Sequence, residues 1–520
     1  MPWRRKLHAG RVVASSMIKH FERPDRLPSA IAAMAPWGQS VAGLLAGAAA
    51  RYPDRVAVYD DAGSITYAEL WQRSQAIAAG LKDNGIGPGD GVGLLARNHR
   101  GFIEAMTAVA ATGADLVLLN TGFARPQLAD VVEHEHVSVV IHDDDFADLV
   151  DSCGARLVLD EDDIDEMAQS GSIRPGVKPG SVVILTSGTT GRPKGAARRS
   201  DASGVESVAA LLERMPMRVG DTQVIAAPLF HAWGFSHLLL GLSRCATNVL
   251  ARKFDPEITL RAASDLDARV LVVVPVMLSR ILALPDKTLD KWPTPALKVI
   301  ASSGSAIGAK LVVDVLDHFG PVLYNLYGST EVAIATIADP DDLRVSPGTA
   351  GRVALGVTVE IVDEAGEPVE EGEVGRVFVG GAMKFDGYTN GTDKERLGEL
   401  LSSGDMGYFR DGLLYVEGRD DDMIVSGGEN VFPSEVEDLL HHHPSVADVA
   451  VVGIPDDEFG QVLSAFIVRQ PGTKLTKPQV RDHVKANLAR HKVPREVTFV
   501  EELPRNPTGK LLRRSLTNST

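Results

Sequence analysis

Apolar and polar positions follow two rhythms along this chain. Short continuous apolar runs at 115–119, 182–185, 224–227, 271–274 and 297–301 read as buried strands. Between 41 and 120 such runs alternate with helical spacing. Thr66 stands ahead of one helical pattern with Glu69 three residues on, the arrangement of a capping box. Residues 104–111 carry another, ending near Gly113. Alternating strands and helices predict an α/β fold, a large N-terminal domain of parallel-type sheets sandwiched by helices. From 348 to 379 the runs shorten and polar turns such as 364–367 intervene, predicting a β-barrel-like subdomain. Beyond 433 a helix starts at Ser434, with Glu437 placed to close its cap, and strands follow at 446–452, 463–468 and 497–500. That stretch predicts a small α+β C-terminal domain.

Length supports the division. A chain of 520 residues is too long for one core. Between the two domains Asp420, Asp421 and Asp422 repel one another and favour a solvated linker. The first thirty residues stand apart, because Arg4, Arg5, Lys6, Arg11, Lys19, Arg23 and Arg26 make them basic within an acidic protein. Val12, Val13, Met17, Ile18 and Phe21 can share one helical face there. Such a helix can lie on an anionic membrane or, more commonly, pack on its own domain. A net charge of −16 argues against nucleic acid as the main partner. Two cysteines, Cys153 and Cys245, provide neither a disulfide framework nor a thiolate cage, which points to a reducing cytoplasm. His134, His136 and His142, and the run His441 to His443, do not have ligand spacing. A homodimer is compatible with the sequence but leaves no mark in it.

The chemistry concentrates after the 182–185 run. There the chain reads Thr186-Ser187-Gly188-Thr189-Thr190-Gly191-Arg192-Pro193-Lys194-Gly195. Glycines let backbone amides approach an anion, hydroxyls add hydrogen bonds and Lys194 adds charge. A surface turn is the plain alternative, but it does not need so many hydroxyls. The Walker A spacing is absent. This stretch resembles the phosphate loop of the adenylate-forming superfamily, which includes acyl-CoA synthetases, peptide-synthetase adenylation domains and luciferases. In the first domain the Ala-rich style with Asn120-Thr121-Gly122-Phe123 also resembles bacterial fatty-acid–CoA ligases.

The resemblance continues in order. Asn325-Leu326-Tyr327-Gly328-Ser329-Thr330-Glu331 follows at the expected distance. It implies Tyr327 stacked on adenine, Thr330 on the α-phosphate and Glu331 on Mg²⁺, with Thr186 and Glu331 serving catalysis. Gly304 and Ser305, after the 297–301 run, join the ATP site. By the same resemblance Asp405 takes the ribose hydroxyls and Arg419 reaches ribose or phosphate. Asp421 is a hinge, and Ser426, Gly427 and Gly428 approach the pantetheine of CoA. Lys510 bridges the acid and the α-phosphate. The implied organisation is a basic segment 1–30, an AMP-binding domain 31–417, a hinge 418–422 and a mobile C-terminal domain 423–520.

The acid itself is less legible. By resemblance His231, Trp233 and Gly234 line the acyl pocket, with Gly304, Ala306 and Ala333 as further small residues. Small side chains suit an open tunnel, so a medium- or long-chain fatty acid is the first expectation. An aryl acid fits the same residues. A carrier-protein pantetheine could replace CoA, and a non-catalytic binder would be expected to lose Lys510, Glu331 or Asp405. The expected reactants are therefore ATP, Mg²⁺, a carboxylic acid and CoA.

Overall fold

The computed structural model describes residues 24–38, 40–169, 171–174, 179–187, 193–198, 204–381, 387, 394–420, 423–426, 429–456, 460–506 and 509–517. The fold is the expected one: a large α/β part with parallel sheets and a half-barrel subdomain, plus a small C-terminal domain. It resolves into two compact units. One contains residues up to Ser302 with 329–333 and 381–394; the other contains 303–328, 334–380 and everything from 395 on.

Two sheets build the first unit. One runs in the order Leu157–Leu159, Val137–His142, Gly91–Leu95, Asp115–Leu118, Val182–Ser187, Pro193–Arg198, parallel except for its last pair. The other runs Val299–Ser302, Val270–Val273, Thr222–Ile225, Thr247–Leu250, Val56–Asp60, Gly63–Thr66, again parallel until the closing hairpin. Every residue of Gly91–Leu95, Val270–Val273 and Val299–Ser302 is buried, which is why the last two coincide with the unbroken apolar runs at 271–274 and 297–301.

Local chemistry fixes where the elements start. The helix Tyr67–Asp83 begins with the expected capping box: Glu69 N–H donates to Thr66 Oγ1, and Glu69 Oε2 accepts from Thr66 N–H at 2.9 Å. Helix Arg100–Thr112 ends at Gly113, whose φ of 83° is left-handed. Within that helix Glu104 is only 1 % exposed. Arg73 Nε meets it at 2.6 Å, so the buried carboxylate is paired rather than stranded. Ser181 is pinned to Asp115 Oδ1 through both its N–H (2.6 Å) and its hydroxyl (2.7 Å). Beside it, a Cβ on Gly180 would lie 2.2 Å from Ala114 O. That close approach sets the entry of strand Val182–Ser187, which feeds the glycine–hydroxyl stretch.

The second unit is mostly antiparallel. Leu323–Tyr327, Thr336–Ala338 and Arg352–Val353 form a ribbon. Thr358–Val362, Gly375–Gly380, Leu400–Arg410 and Leu413–Arg419 make the half-barrel sheet, with Arg396–Leu397 at one edge. The C-terminal part pairs Val446–Asp456 with Gly460–Arg469, and Glu496–Val500 adds in parallel. Val436, Leu440, Val451, Leu463, Ile467, Val480 and Val484 from these strands and from helices Pro433–His441 and Lys477–Asn487 form its core. His142 is buried, with Nδ1 2.8 Å from Asp143 O, and His134 is exposed. No described helix is long and apolar enough to cross a membrane. The basic segment lies outside the described residues as far as Arg23.

Candidate active site

In the first unit, Val182–Ser187 pairs antiparallel with Pro193–Arg198, placing Thr186 opposite Lys194 and Ser187 opposite Pro193. Gly188, Thr189, Thr190 and Gly191 lie outside the described residues. Gly195 is buried on the return strand, where a Cβ would sit 2.5 Å from a carboxylate oxygen of Glu135.

Strand Thr222–Ile225 leads into helix Ala232–Ser243, and the link between them carries His231. Asn98 clamps that link. Its Nδ2 donates to Ile225 O at 3.2 Å and Ala227 O at 2.9 Å, and its Oδ1 accepts from Leu229 N–H at 2.9 Å. Asn98 went unread in the sequence; its mark there is a polar run, Arg97-Asn98-His99-Arg100, following an apolar one. The Trp233 indole donates to Val273 O at 3.0 Å, so its ring is held in place. The His231 ring lies 4.5 Å from Phe230, and the His237 ring lies edge-on 4.3 Å from Trp233.

Gly234 plays a different part from the one expected. A Cβ there would lie 2.3 Å from Pro228 O and 2.7 Å from Ala227 O. Its missing side chain lets the helix start press on the preceding backbone; the space beside it is filled by that backbone and is not room for an acyl chain.

Burial sets the charge of these rings. It lowers the His231 imidazole to about 4 and His237 to about 3, so both rings are neutral at physiological pH. His231 Nε2 and both ring nitrogens of His237 are enclosed and have no hydrogen-bond partner among the described residues.

The loop Ser329–Ala333 also belongs to the first unit. Ser329 Oγ donates to Glu331 Oε2 at 2.7 Å and accepts from Glu331 and Val332 N–H at 3.3 Å each. Thr330 and Glu331 are half-buried, and Ala333 takes a left-handed φ of 59°. A half-exposed carboxylate oriented by a hydroxyl has the donor chemistry of a hard-cation ligand, so Glu331 fits Mg²⁺.

The second unit gathers the other nucleotide candidates. Asp405 and Arg419 face each other across an antiparallel pair, with Arg419 Nε 3.8 Å from Asp405 Oδ1. Tyr327 donates its hydroxyl to Asp405 Oδ2 at 2.5 Å. Burial, then the adjacent carboxylate charge, hold the Tyr327 phenol well above its ordinary range, so it stays a donor. Asn325 is 7 % exposed, and its Oδ1 has no partner among the described residues. Ser303 Oγ donates to Leu326 O at 2.9 Å and ties the 303–306 turn to that strand. Within the turn Gly304, with φ 97°, and Ala306 are exposed, and Ser305 is half-buried. Gly328 is half-buried at the strand's end.

Lys510 sits on a tight turn. Its N–H donates to Asn506 Oδ1 at 2.8 Å and its carbonyl accepts from Asn506 N–H at 2.9 Å. Arg505 braces the turn by donating to Gly509 O at 2.9 Å and to Asp448 at 2.8 Å. The Lys510 residue is exposed. Ser426 is buried at a strand end, while Asp421, Gly427 and Gly428 lie outside the described residues.

Known proteins share this organisation. Residues 45–389 match the family model of the AMP-binding enzymes, and residues 435–510 match that of the AMP-binding enzyme C-terminal domain. A 2-succinylbenzoate–CoA ligase of Bacillus licheniformis is 31 % identical over 475 residues, covering 89 % of this chain and 97 % of that protein. A feruloyl-CoA synthase of an Amycolatopsis species is 32 % identical over 475 residues, covering 89 % and 95 %. The o-succinylbenzoate CoA synthetase of Bacillus subtilis, solved with its acyl-adenylate intermediate, superposes with a TM-score of 0.81 at 26 % identity, covering 91 % and 97 %. The two sequence relatives bear the names of aryl-acid ligases, where the sequence had looked most like fatty-acid ligases. This chain belongs to the AMP-binding family of adenylate-forming enzymes and is an AMP-forming acid–CoA ligase.

Proposed function

We propose that the enzyme activates an aryl carboxylic acid, through aryl-AMP, to an aryl-CoA thioester. The observation that carries this reading is the wall on helix Ala232–Ser243. It offers the half-buried Trp233 indole and the neutral His231 imidazole, flat surfaces that suit a planar ring better than a flexible chain. The two aryl-acid relatives point the same way. The fatty-acid reading rested on small residues, and Gly234, the first of them, is taken up by backbone packing.

In the first step a carboxylate oxygen attacks the α-phosphorus of ATP, the bond to the bridging oxygen breaks, and pyrophosphate leaves. Both reactants are anions, so catalysis lies in offsetting repulsion and aligning them. Thr186, Ser187, Gly188, Thr189, Thr190, Gly191 and Lys194 are assigned to the β- and γ-phosphates, Thr330 to the α-phosphate, and Lys510 to the junction of acid and phosphate. Glu331 would hold Mg²⁺, which neutralises phosphate charge when bound. Tyr327 would stack on adenine, Asn325 Oδ1 would accept from its amino group, and Asp405 with Arg419 would take the ribose.

In the second step the CoA sulfur attacks the acyl carbon and AMP leaves with the bonding pair. Residues 426–428 are assigned to pantetheine, and residues 423–520 to a lobe that turns at Asp421 between the steps. ATP–pyrophosphate exchange across matched aryl and alkyl acids, followed by thioester detection with CoA, tests the reading. Aryl-dependent exchange with aryl-CoA formation is expected. Preferential exchange with alkyl acids overturns the aryl assignment, and aryl-AMP without aryl-CoA overturns the acceptor.

A further inference from the structure

The helix Leu27–Met34 has two unlike sides. Its inner side is seated on the first unit. Ala30 and Trp37 are buried, the Trp37 ring stands edge-on to Trp71 at 5.5 Å, and a Cβ on Gly47 would lie 2.4 Å from the Met34 side chain. Its outer side is bare and apolar. Leu27, Pro28, Ile31, Ala32, Ala35 and Pro36 are exposed, Ile31 by 58 %, and Ser29 is the lone polar residue among positions 27–36. Positions 27, 31 and 35 recur at helical spacing, as do 28, 32 and 36, so these side chains adjoin one another. Scattered apolar side chains on a surface need no explanation, but a contiguous group of them marks a contact face.

The chain leading into this face says what covers it. Up to Arg26 the sequence carries seven basic and two acidic side chains, a net of +5 within a protein of −16, so the remainder carries −21. The same stretch holds Trp3 beside Arg4-Arg5-Lys6, and its Val12, Val13, Met17, Ile18 and Phe21 are spaced for one side of a helix. Positive charge and apolar side chains therefore run directly into the bare face at Leu27. A symmetric second copy would bring two such basic segments together, which their charge opposes. An anionic bilayer takes both features at once. Its headgroups attract Lys and Arg, and its acyl boundary accepts apolar side chains without a shaped pocket.

We propose that the outer face of helix Leu27–Met34, with the basic segment ahead of it, is a docking surface for anionic phospholipid bilayers. Leu27 and Ile31 enter the boundary between headgroups and acyl chains, and the basic side chains pair with lipid phosphates. Two signals are needed because either alone gives marginal, reversible binding. No described helix is long and apolar enough to cross a membrane, and the contact lies in the plane of the surface. None of these residues is assigned to ATP, acid or CoA, so the inference is independent of which acid the enzyme takes.

The test is co-sedimentation of the full chain with phosphatidylcholine vesicles made with and without phosphatidylglycerol, at low and at high salt. Wild type is expected to bind the anionic vesicles at least about tenfold more strongly than the neutral ones, and to lose most of that preference in high salt. Leu27→Ser combined with Ile31→Ser changes only exposed side chains. It is expected to weaken binding to anionic vesicles about tenfold, with melting temperature and ATP–pyrophosphate exchange unchanged. Arg4→Gln, Arg5→Gln and Lys6→Gln together are expected to weaken it by a similar factor of about ten, and they decide the matter if the serine variant fails to fold. A wild type that binds neither vesicle, or binds both equally, overturns the proposal. So does binding that is unchanged in both variants. A wild-type dimer in analytical ultracentrifugation that the serine variant turns into a monomer assigns the face to a second copy and overturns the lipid surface.

Discussion

The two polar constellations differ in how their hydrogen bonds close. In the Tyr327–Asp405–Arg419 cluster the chain pairs its own groups: phenol to carboxylate at 2.5 Å and guanidinium beside it at 3.8 Å. On helix Ala232–Ser243 the imidazoles stay open, with His231 Nε2 and both His237 nitrogens unpaired among the described residues. A self-paired cluster holds its geometry before ligand arrives. An open one carries a standing cost that a matching ligand relieves, and that favours selectivity. On the proposed function, the first arrangement suits an invariant nucleotide.

The sharpest break in this contrast is at Lys510, assigned above to the junction of the two substrates. Lys510→Ala is expected to lower acyl-AMP formation by about 10²- to 10³-fold. Thioester formation from supplied acyl-adenylate should survive; stopped-flow assays of each half-reaction read the difference, and equal loss in both would refute the role. Next comes the self-paired cluster. Asp405→Asn is expected to raise KM for ATP by about ten- to a hundredfold while leaving the preference among acids unchanged. A shift in acid preference would show that the two constellations are not separable.

The open pair has its own pH signature. Each imidazole has a folded-state pKa below its unfolded value, His231 at about 4 and His237 at about 3. The unfolded chain therefore binds protons first as pH falls below about 6.5. Stability is full above that value and declines on acidification down to the folded pKa, by about 1.4 kcal/mol per pH unit per histidine. His237→Leu should remove one proton's worth of slope between pH 6 and 4, read by chemical denaturation; an unchanged slope would contradict neutral burial. The smallest effect expected is at the scaffold beneath the wall. Asn98→Ala deletes three buried hydrogen bonds and should cost about 2–3 kcal/mol, visible as a lower melting temperature with acid preference retained.

What could be read from the sequence follows from which signals are local. The Thr66–Glu69 capping box and the buried parallel strands announce themselves in a few adjacent residues, and each stands in the structure as expected. The Tyr327 and Asp405 motifs are local too, but their hydrogen bond joins residues 78 positions apart, so only the fold reveals it. Asn98 clamps backbone more than a hundred residues away, and nothing in its neighbourhood signals that. Gly234 read as open space because a glycine looks the same whether it faces a cavity or a carbonyl. His237, within Phe235-Ser236-His237-Leu238-Leu239, passes for an ordinary polar residue in an apolar helix; that its ring is sealed and without a partner among the described residues emerges only with Trp233, Gln223 and Asn248 in place.

The central claim is that the Trp233 indole and the neutral His231 imidazole select a planar acid. Acid-dependent ATP–pyrophosphate exchange by the wild-type enzyme, run on aryl and alkyl acids of equal length, tests it most directly. The account predicts kcat/KM at least about tenfold higher for the aryl partner of each pair. Equal or faster exchange with the alkyl acids would contradict it.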